Sequence, residues 1–291
     1  MLSKNISPVL FWLVLVLLAG TEFRQNQWEC LLVMFAALEL APSGLRLLGI
    51  PQKDWYAAIP VGLCAAYLFT GFWFLALPYL LWAVWMTVQE ASQLFLREKR
   101  PLLDFVRLFA LAYWAVGAAF AVLYLAGISP LGFDPVIVSL TAAHFHVAGF
   151  VLAVLVYALL QARPTALNRT LAWVSLIGMP LVAAGITLTK LGYPPLLEQA
   201  AALGFVGFAL TVVGQQIRLF FQPQYSQSAR WMWLIGAMCL LAGVALAGLY
   251  ALRFQFPIQW VSIPNMKIWH GTLNAVGFGW LSFKGWGEKE A

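Results

Sequence analysis

The sequence has few charged side chains, few histidines and few cysteines for its length. Charged residues make up 10% of the 291 residues, whereas hydrophobic residues make up 63% and the mean hydropathy is +0.84. A water-soluble domain of this size needs more polar surface than that, so the composition excludes a soluble enzyme or binding module. The three cysteines, Cys30, Cys64 and Cys239, show no C-x-x-C spacing, which argues against a disulfide framework and a zinc ribbon.

Long apolar runs, separated by loops that carry Pro, Gly and charge, divide the chain. A helix needs about 20 residues to cross a bilayer. On that scale the runs predict an all-α fold: a polytopic transmembrane bundle of about ten helices that forms a single integral membrane domain, residues 1–291. The predicted spans are 8–21, 28–49, 55–73, 75–95, 103–126, 136–160, 169–189, 198–220, 230–251 and 261–283. No fixed-period repeat is visible in the sequence.

The basic residues predict an orientation. The formal net charge is +6, and most of the Lys and Arg fall in loops that ten alternating spans place on one side of the membrane, as do Arg97, Lys99 and Arg100. That side should be cytoplasmic, which puts both termini inside. The same distribution explains the basic charge without a nucleic-acid surface. We therefore expect the lipid bilayer as a partner and no nucleic acid.

The three histidines all lie inside predicted spans. At 1.5 Å per residue, His144 and His146 lie about 15 to 18 Å from the outer end of their span, and His270 lies about 15 Å from the outer end of its own. Glu39 lies about 17 Å inside another span, and Asn274 is one turn beyond His270 on the same helix face. An ionisable side chain at such a depth is by default a functional-site hypothesis. The sequence thus predicts one polar site near the bilayer midplane.

Three roles are open for these residues. Polar side chains also hold membrane helices together through hydrogen bonds. Histidine and glutamate titrate usefully when buried, which favours acid/base chemistry or a proton relay. One histidine of the triplet could join His270 on a haem, or Glu39 around one metal ion, so a single haem or metal is possible although no cofactor is favoured. His144 and His146 are about 200° apart on a helix, and the sequence does not decide which of them faces the site.

Two stretches of the sequence carry a family resemblance. Residues 141–150, with the His144-Phe145-His146 triplet, and residues 266–274, followed by Gly277-Phe278, resemble the YndJ-like family of bacterial polytopic membrane proteins. The resemblance implies a multi-pass protein of the bacterial inner membrane and no specific reaction. The triplet is also similar to the haem-binding helix of haem-copper oxidases, and His270-Gly271 is similar to membrane carotenoid oxygenases. The remaining histidine ligands of both are missing here.

The function that these residues favour is that of an intramembrane enzyme acting on a lipophilic small molecule such as an isoprenoid or lipid. Glu39 and one of His144 and His146 would exchange protons with the substrate, His270 would be the partner acid or base, and Asn274 would orient it, for protonation, isomerisation or cyclisation. The alternative is a proton-coupled transporter, against which the sequence shows neither an inverted repeat nor broken helices in matching halves. A second alternative is a haem- or metal-binding redox protein.

Overall fold

The computed structural model of the protein describes residues 7–69 and 71–289. Over these residues the chain forms eleven helices and no β-strand, so the predicted all-α class is confirmed. The helices are α1 (Pro8–Leu18), α2 (Thr21–Asn26), α3 (Trp28–Leu47), α4 (Ile59–Leu68), α5 (Leu77–Leu96), α6 (Leu102–Leu125), α7 (Pro135–Ala162), α8 (Ala166–Lys190), α9 (Leu196–Phe220), α10 (Gln227–Ala251) and α11 (263–287). The two termini, predicted to be cytoplasmic, lie outside the described residues.

Six of these helices are long and apolar enough to cross a membrane. They are α3, α6, α7, α8, α9 and α10, and the mean hydropathy of their most apolar windows lies between 1.6 and 2.2. Each of them overlaps one predicted span. A run of about 20 apolar residues is stable only in a bilayer or in a large protein core, so the length of the run predicts the helix. The protein is therefore a multi-pass membrane protein.

The other four predicted spans are shorter or more polar in the structure. The first is the 11-residue helix α1. The span 55–73, which includes residue 70 outside the described residues, is a 3₁₀ turn (Asp54–Ala58) followed by the ten-residue α4. Helices α5 and α11 are long enough but are not among the six most apolar helices, and α11 carries Lys267, His270 and Asn274.

Three helices contain π-helical turns, in which the backbone accommodates extra residues. These turns are Ala36–Leu40 in α3, Phe145–Val151 in α7 and Leu273–Trp280 in α11. Such turns are rare and frequently mark functional sites. Glu39, His146 and Asn274 lie inside the three turns, and His144 immediately precedes the second. Each segment that the sequence singled out for its polar residues therefore departs from regular helix geometry.

The chain divides into two compact units, Met1–Val154 and Leu155–Ala291. In the first unit, α6 packs against both α5 and α7, and α3 packs against α7. In the second unit, α9 packs against α8 and α10, and α10 packs against α11. Large aromatic side chains fill both cores: Tyr79, Trp114 and Phe150 in the first unit, and Trp233 and Phe278 in the second, are less than 2% exposed.

The last helices of the two units form a repeat. Helices α6 and α10 share the pattern G-x-A-x-A-x-L-Y, at residues 117–124 and 243–250. In both α7 and α11, ten α-helical residues precede the π turn, and both π turns contain a Gly-Phe pair, Gly149-Phe150 and Gly277-Phe278. The sequence analysis, which found no fixed-period repeat, did not recognise this pair of matching segments. The repeat is hard to see because few other side chains are shared and the loop before α11 is longer than the loop before α7.

The packing repeats together with the pattern. A Cβ atom on Gly117 would lie 2.6 Å from His146 Nδ1, and a Cβ atom on Gly243 would overlap the side-chain amide of Asn274. In each unit, the lack of a side chain at this glycine thus leaves room for a polar residue of the next helix. A glycine within each π turn makes a second close approach to the preceding helix, in the pairs Gly149–Tyr113 and Gly277–Cys239. His146 and Asn274 therefore occupy equivalent positions.

Candidate functional site

His146 is held in a linear chain of hydrogen bonds. It is 1% exposed, and its Nδ1 lies 2.7 Å from the carbonyl oxygen of Ala142. Because a carbonyl only accepts, Nδ1 carries the proton and Nε2 is the acceptor. The hydroxyl of Tyr79, 3.0 Å away, donates to Nε2, and Trp114 Nε1 donates to the hydroxyl oxygen of Tyr79 at 2.7 Å. Each ring nitrogen of the neutral imidazole therefore has a partner.

This chain links three helices of the first unit. Tyr79 lies on α5, Trp114 on α6 and His146 on α7, and the rings of Tyr79 and His146 are nearly parallel, with centroids 5.9 Å apart. If Nε2 of His146 bound a proton, Tyr79 would have to turn its own hydrogen away and accept instead. Protonation would thus rearrange a buried network that positions three helices, and such networks are cooperative.

His144 faces the other way. Its side chain is exposed, and its Nδ1 lies 2.7 Å from the carbonyl oxygen of Leu140, so that Nδ1 is again the protonated nitrogen. The two histidines of the triplet therefore diverge, as the spacing of two residues requires of a helix. His146 points into the first unit and His144 points to its exterior.

Glu39 lies on the π turn of α3 and is 4% exposed. The hydroxyl of Ser43 donates to Glu39 Oε1 at 3.3 Å, and Arg46 donates to the same hydroxyl oxygen at 2.8 Å. The π turn of α3 contacts the π turn of α7. The first unit therefore brings together the segments of Glu39 and His146, which the sequence predicted to share one level.

His270 and Asn274 form a pair in the second unit. His270 Nδ1 lies 2.8 Å from the carbonyl oxygen of Gly243 and donates to it. Asn274 Nδ2 lies 3.2 Å from His270 Nε2, the ring nitrogen that is left as an acceptor, so the amide nitrogen has to face the ring. The predicted shared face of the two residues is confirmed.

The side-chain oxygen of Asn274 is the notable atom of this pair. It is buried and has no hydrogen-bond partner among the described residues. A buried acceptor without a partner lowers the stability of a protein by about 1 to 3 kcal/mol, and most buried acceptors therefore have a donor. A ligand with an N–H or O–H group would satisfy it.

We call the groups around Glu39, Tyr79, Trp114 and His146 the unit 1 site, and the groups around His270 and Asn274 the unit 2 site. Sequence reasoning missed Tyr79 and Trp114, since both resemble ordinary membrane aromatics until their partners are known. The signal that could have led to the site is the shared glycine pattern in α6 and α10, because each pattern begins at the glycine that touches the polar residue. Within residues 7–69 and 71–289, no three His, Cys, Asp or Glu side chains are grouped so as to hold a metal ion.

Several other buried polar groups join helices through hydrogen bonds or ion pairs. Ser139 on α7 donates to Glu29 on α3 at 3.0 Å, and the guanidinium of Arg107 on α6 lies 2.9 Å from the carboxylate of Glu90 on α5. In the second unit, Arg253 donates to Glu198 at 2.6 Å. These contacts hold the helices that carry the two sites.

A comparison with family models assigns the chain. The model described as YndJ-like protein matches residues 31–278. The chain belongs to the YndJ-like protein family. The family match begins in α3 and ends in the π turn of α11, so it covers all five predicted site residues and both copies of the repeat. Comparisons of this YndJ-like protein with curated proteins and with solved structures found no match.

Proposed function

We propose that this YndJ-like protein is a proton-coupled membrane transporter for a small polar solute, built from two parallel repeats. The observation that supports it is the pair of π turns at equivalent positions of the two units, each of which places a polar side chain against a glycine. In transporters with internal repeats, interrupted helices at corresponding positions of the halves point to the substrate site. The matching π turns bear on one part of the sequence-based argument against transport, the lack of irregular helices in matching halves; the lack of an inverted repeat stands.

The proposed repeats are α4 to α7 and α8 to α11. Glycines with positive φ follow the first helix of each, Gly71 with φ +86° and Gly192 with φ +91°. Because each repeat has four spans, an even number, both repeats would begin on the same side of the membrane. Repeats with the same orientation are of the parallel type. This proposal includes ten spans (α1 and α3 to α11), one integral membrane domain over 1–291, a bacterial inner membrane and cytoplasmic termini.

The two sites have different tasks in this proposal. In the unit 1 site, His146 takes up a proton at Nε2, Tyr79 reverses its hydrogen bond, and Glu39 on the adjoining π turn is the other exchanging group. In the unit 2 site, the oxygen of Asn274 accepts a hydrogen bond from the solute, and His270 holds the Asn274 amide in place. The solute is therefore a small molecule with an N–H or O–H donor. His144 has no part in either task.

An intramembrane enzyme acting on a lipophilic isoprenoid or lipid is the second candidate. The contact between the Tyr79 hydroxyl and His146 favours it, because a phenol and an imidazole can donate and accept protons in turn. In that case Glu39 and one of His144 and His146 would exchange protons with the substrate, with His270 as the partner acid or base and Asn274 in an orienting role.

Transport is tested in liposomes that contain the purified protein and a trapped pH-sensitive dye. A panel of small amines, amides, alcohols and amino acids is added under an imposed pH gradient, and solute-dependent proton flux is recorded. We expect flux with a subset of the panel in the wild type and in His144→Gln, and its loss in His146→Gln and Asn274→Ala. Flux that survives in both of the latter variants would refute these roles.

The enzyme is tested by incubating the purified protein in D₂O with unlabelled lipids extracted from cells and analysing those lipids by mass spectrometry. A protonating or isomerising enzyme would place solvent deuterium at a carbon of one lipid class, and Glu39→Gln would abolish the label. Such a label without solute-dependent proton flux would replace the transporter by the enzyme.

A further inference from the structure

A cavity of about 230 Å³ opens at one end of the second unit, where α9 ends and α10 begins. Phe220, Gln227, Arg230 and Trp231 line it. Both helices are long apolar candidate spans, so this end lies at the level where a bilayer changes from hydrocarbon to headgroups. None of the residues of the two candidate sites lines the cavity.

The Nε side of the Arg230 guanidinium is fixed at the wall of this cavity. Its Nε donates to the carbonyl oxygen of Phe220 at 2.5 Å, and its guanidinium carbon lies 5.4 Å from the centre of the Phe220 ring. Trp231 packs edge-on against the same ring, with centroids 5.0 Å apart. None of the ion pairs found in the described part of the chain involves Arg230. Its two terminal NH₂ groups are therefore a rigid fork, a shape that matches a phosphate.

An apolar stripe runs from the cavity along α10. Trp231, Ile235 and Met238, at spacings of four and three residues, are each 49% exposed and share one helix face. Phe221, which follows Phe220 in the chain, is 67% exposed. A free anion would leave this apolar stripe uncovered, whereas the acyl chain of a lipid would pack along it.

The charge of this end fits an anionic occupant. Lys284 lies in the last turn of α11, and the end of this helix contacts the start of α10, where the hydroxyl of Ser226 donates to the carbonyl oxygen of Glu288. Basic residues at the cytoplasmic ends of membrane helices attract anionic lipid, and basic pockets between helices bind its headgroups.

We propose that the cavity of Phe220, Gln227, Arg230 and Trp231 binds the phosphodiester headgroup of an anionic phospholipid, whose acyl chain lies along Trp231, Ile235 and Met238. The guanidinium fork of Arg230 holds the phosphate, and the side-chain amide of Gln227 donates a further hydrogen bond. This site is separate from the proposed transport and does not depend on it.

The test uses the full chain in mixed micelles that contain either phosphatidylglycerol or phosphatidylcholine, with bound lipid counted by native mass spectrometry. Loss of a charge-assisted fork predicts that Arg230→Gln binds phosphatidylglycerol about tenfold more weakly. The matched control is Arg218→Gln, which removes the same charge from an exposed position nearby and should bind almost as the wild type does. Inorganic phosphate should not displace the lipid.

Three results would overturn the proposal: unchanged binding in Arg230→Gln, an equal loss in Arg218→Gln, or displacement by inorganic phosphate, which would make the site one for a free anion. Arg230→Lys keeps the charge and removes the fork. If Arg230→Gln does not fold, weakened binding by Arg230→Lys supports the headgroup site, and binding at the wild-type level contradicts it.

Discussion

Replacing Gly117 by alanine tests the packing that both repeats share. The added Cβ would lie 2.6 Å from Nδ1 and 2.9 Å from Cε1 of His146, and 3.2 Å from the carbonyl oxygen of Ala142. Distances below 3.0 Å are not tolerated, so the imidazole has to move. Its bonds to Ala142 and Tyr79 then lengthen or break, because both depend on the position of the ring.

The change in the free energy of unfolding follows from two costs and one gain. Leaving buried polar groups without partners costs about 1 to 3 kcal/mol, and overpacking a core costs about 1 to 3 kcal/mol. The better helix propensity of alanine returns about 1 kcal/mol. We therefore expect Gly117→Ala to lower the free energy of unfolding by about 1 to 5 kcal/mol. That corresponds to a fall in the melting temperature of roughly 2 °C or more.

The assay is thermal unfolding in detergent micelles followed by tryptophan fluorescence, to which Trp114 contributes. The matched control is Gly214→Ala on α9, where a Cβ would meet nothing within 4 Å and stability should be equal or higher. Gly243→Ala, the equivalent position in the second unit, should also be destabilised, since it displaces Asn274. If Gly117→Ala were as stable as Gly214→Ala, the close approach to His146 would be refuted.

Two further predictions concern single contacts in the first unit. Tyr79→Phe should lower the free energy of unfolding by about 1 to 3 kcal/mol, because it leaves two buried groups without a partner. Tyr67→Phe should be nearly neutral, since the buried hydroxyl of Tyr67 has no hydrogen-bond partner among the described residues. Equal melting temperatures of the two variants would contradict the hydrogen-bond chain. Arg107→Gln should lower the free energy of unfolding by about 3 to 5 kcal/mol, because it leaves Glu90 buried without its cation. Arg100→Gln removes an exposed guanidinium that is in none of the ion pairs found among the described residues, and it should cost about 0 to 1 kcal/mol. Similar unfolding midpoints of the two variants in denaturant would argue against a buried pair.

The sequence predicted the helices well where one physical cause dominates. Apolar length alone identifies α6 to α10, because the bilayer thickness sets the length of a span. It was less informative for α4, where Gly and Pro shorten the helix, and for α11, where Lys267 and His270 interrupt the apolar run. The depth of the polar residues in the bilayer stays a prediction from the helical rise.

The site itself depends on contacts that no single segment contains. The spacing of His144 and His146 requires that they diverge, but only the packing of α5 and α6 decides that His146 is the buried one. The π turns were not predicted, since their extra residue is accommodated by tertiary contacts. The glycines opposite His146 and Asn274 gained a meaning only when their partners were known.

The proposed membrane topology is the central claim, and labelling of single cysteines tests it most directly. The native cysteines are replaced by alanine, and a single cysteine is introduced at one of four exposed loop positions. Two of these positions precede equivalent helices, Glu98 before α6 and Gln224 before α10. The other two also precede equivalent helices, Ser129 before α7 and Gln259 before α11. Intact cells are treated with a membrane-impermeant maleimide, before and after permeabilisation. Parallel repeats predict that Ser129→Cys and Gln259→Cys react in intact cells and that Glu98→Cys and Gln224→Cys react only after permeabilisation. Labelling of Glu98→Cys and Gln224→Cys from opposite sides of the membrane would contradict the account.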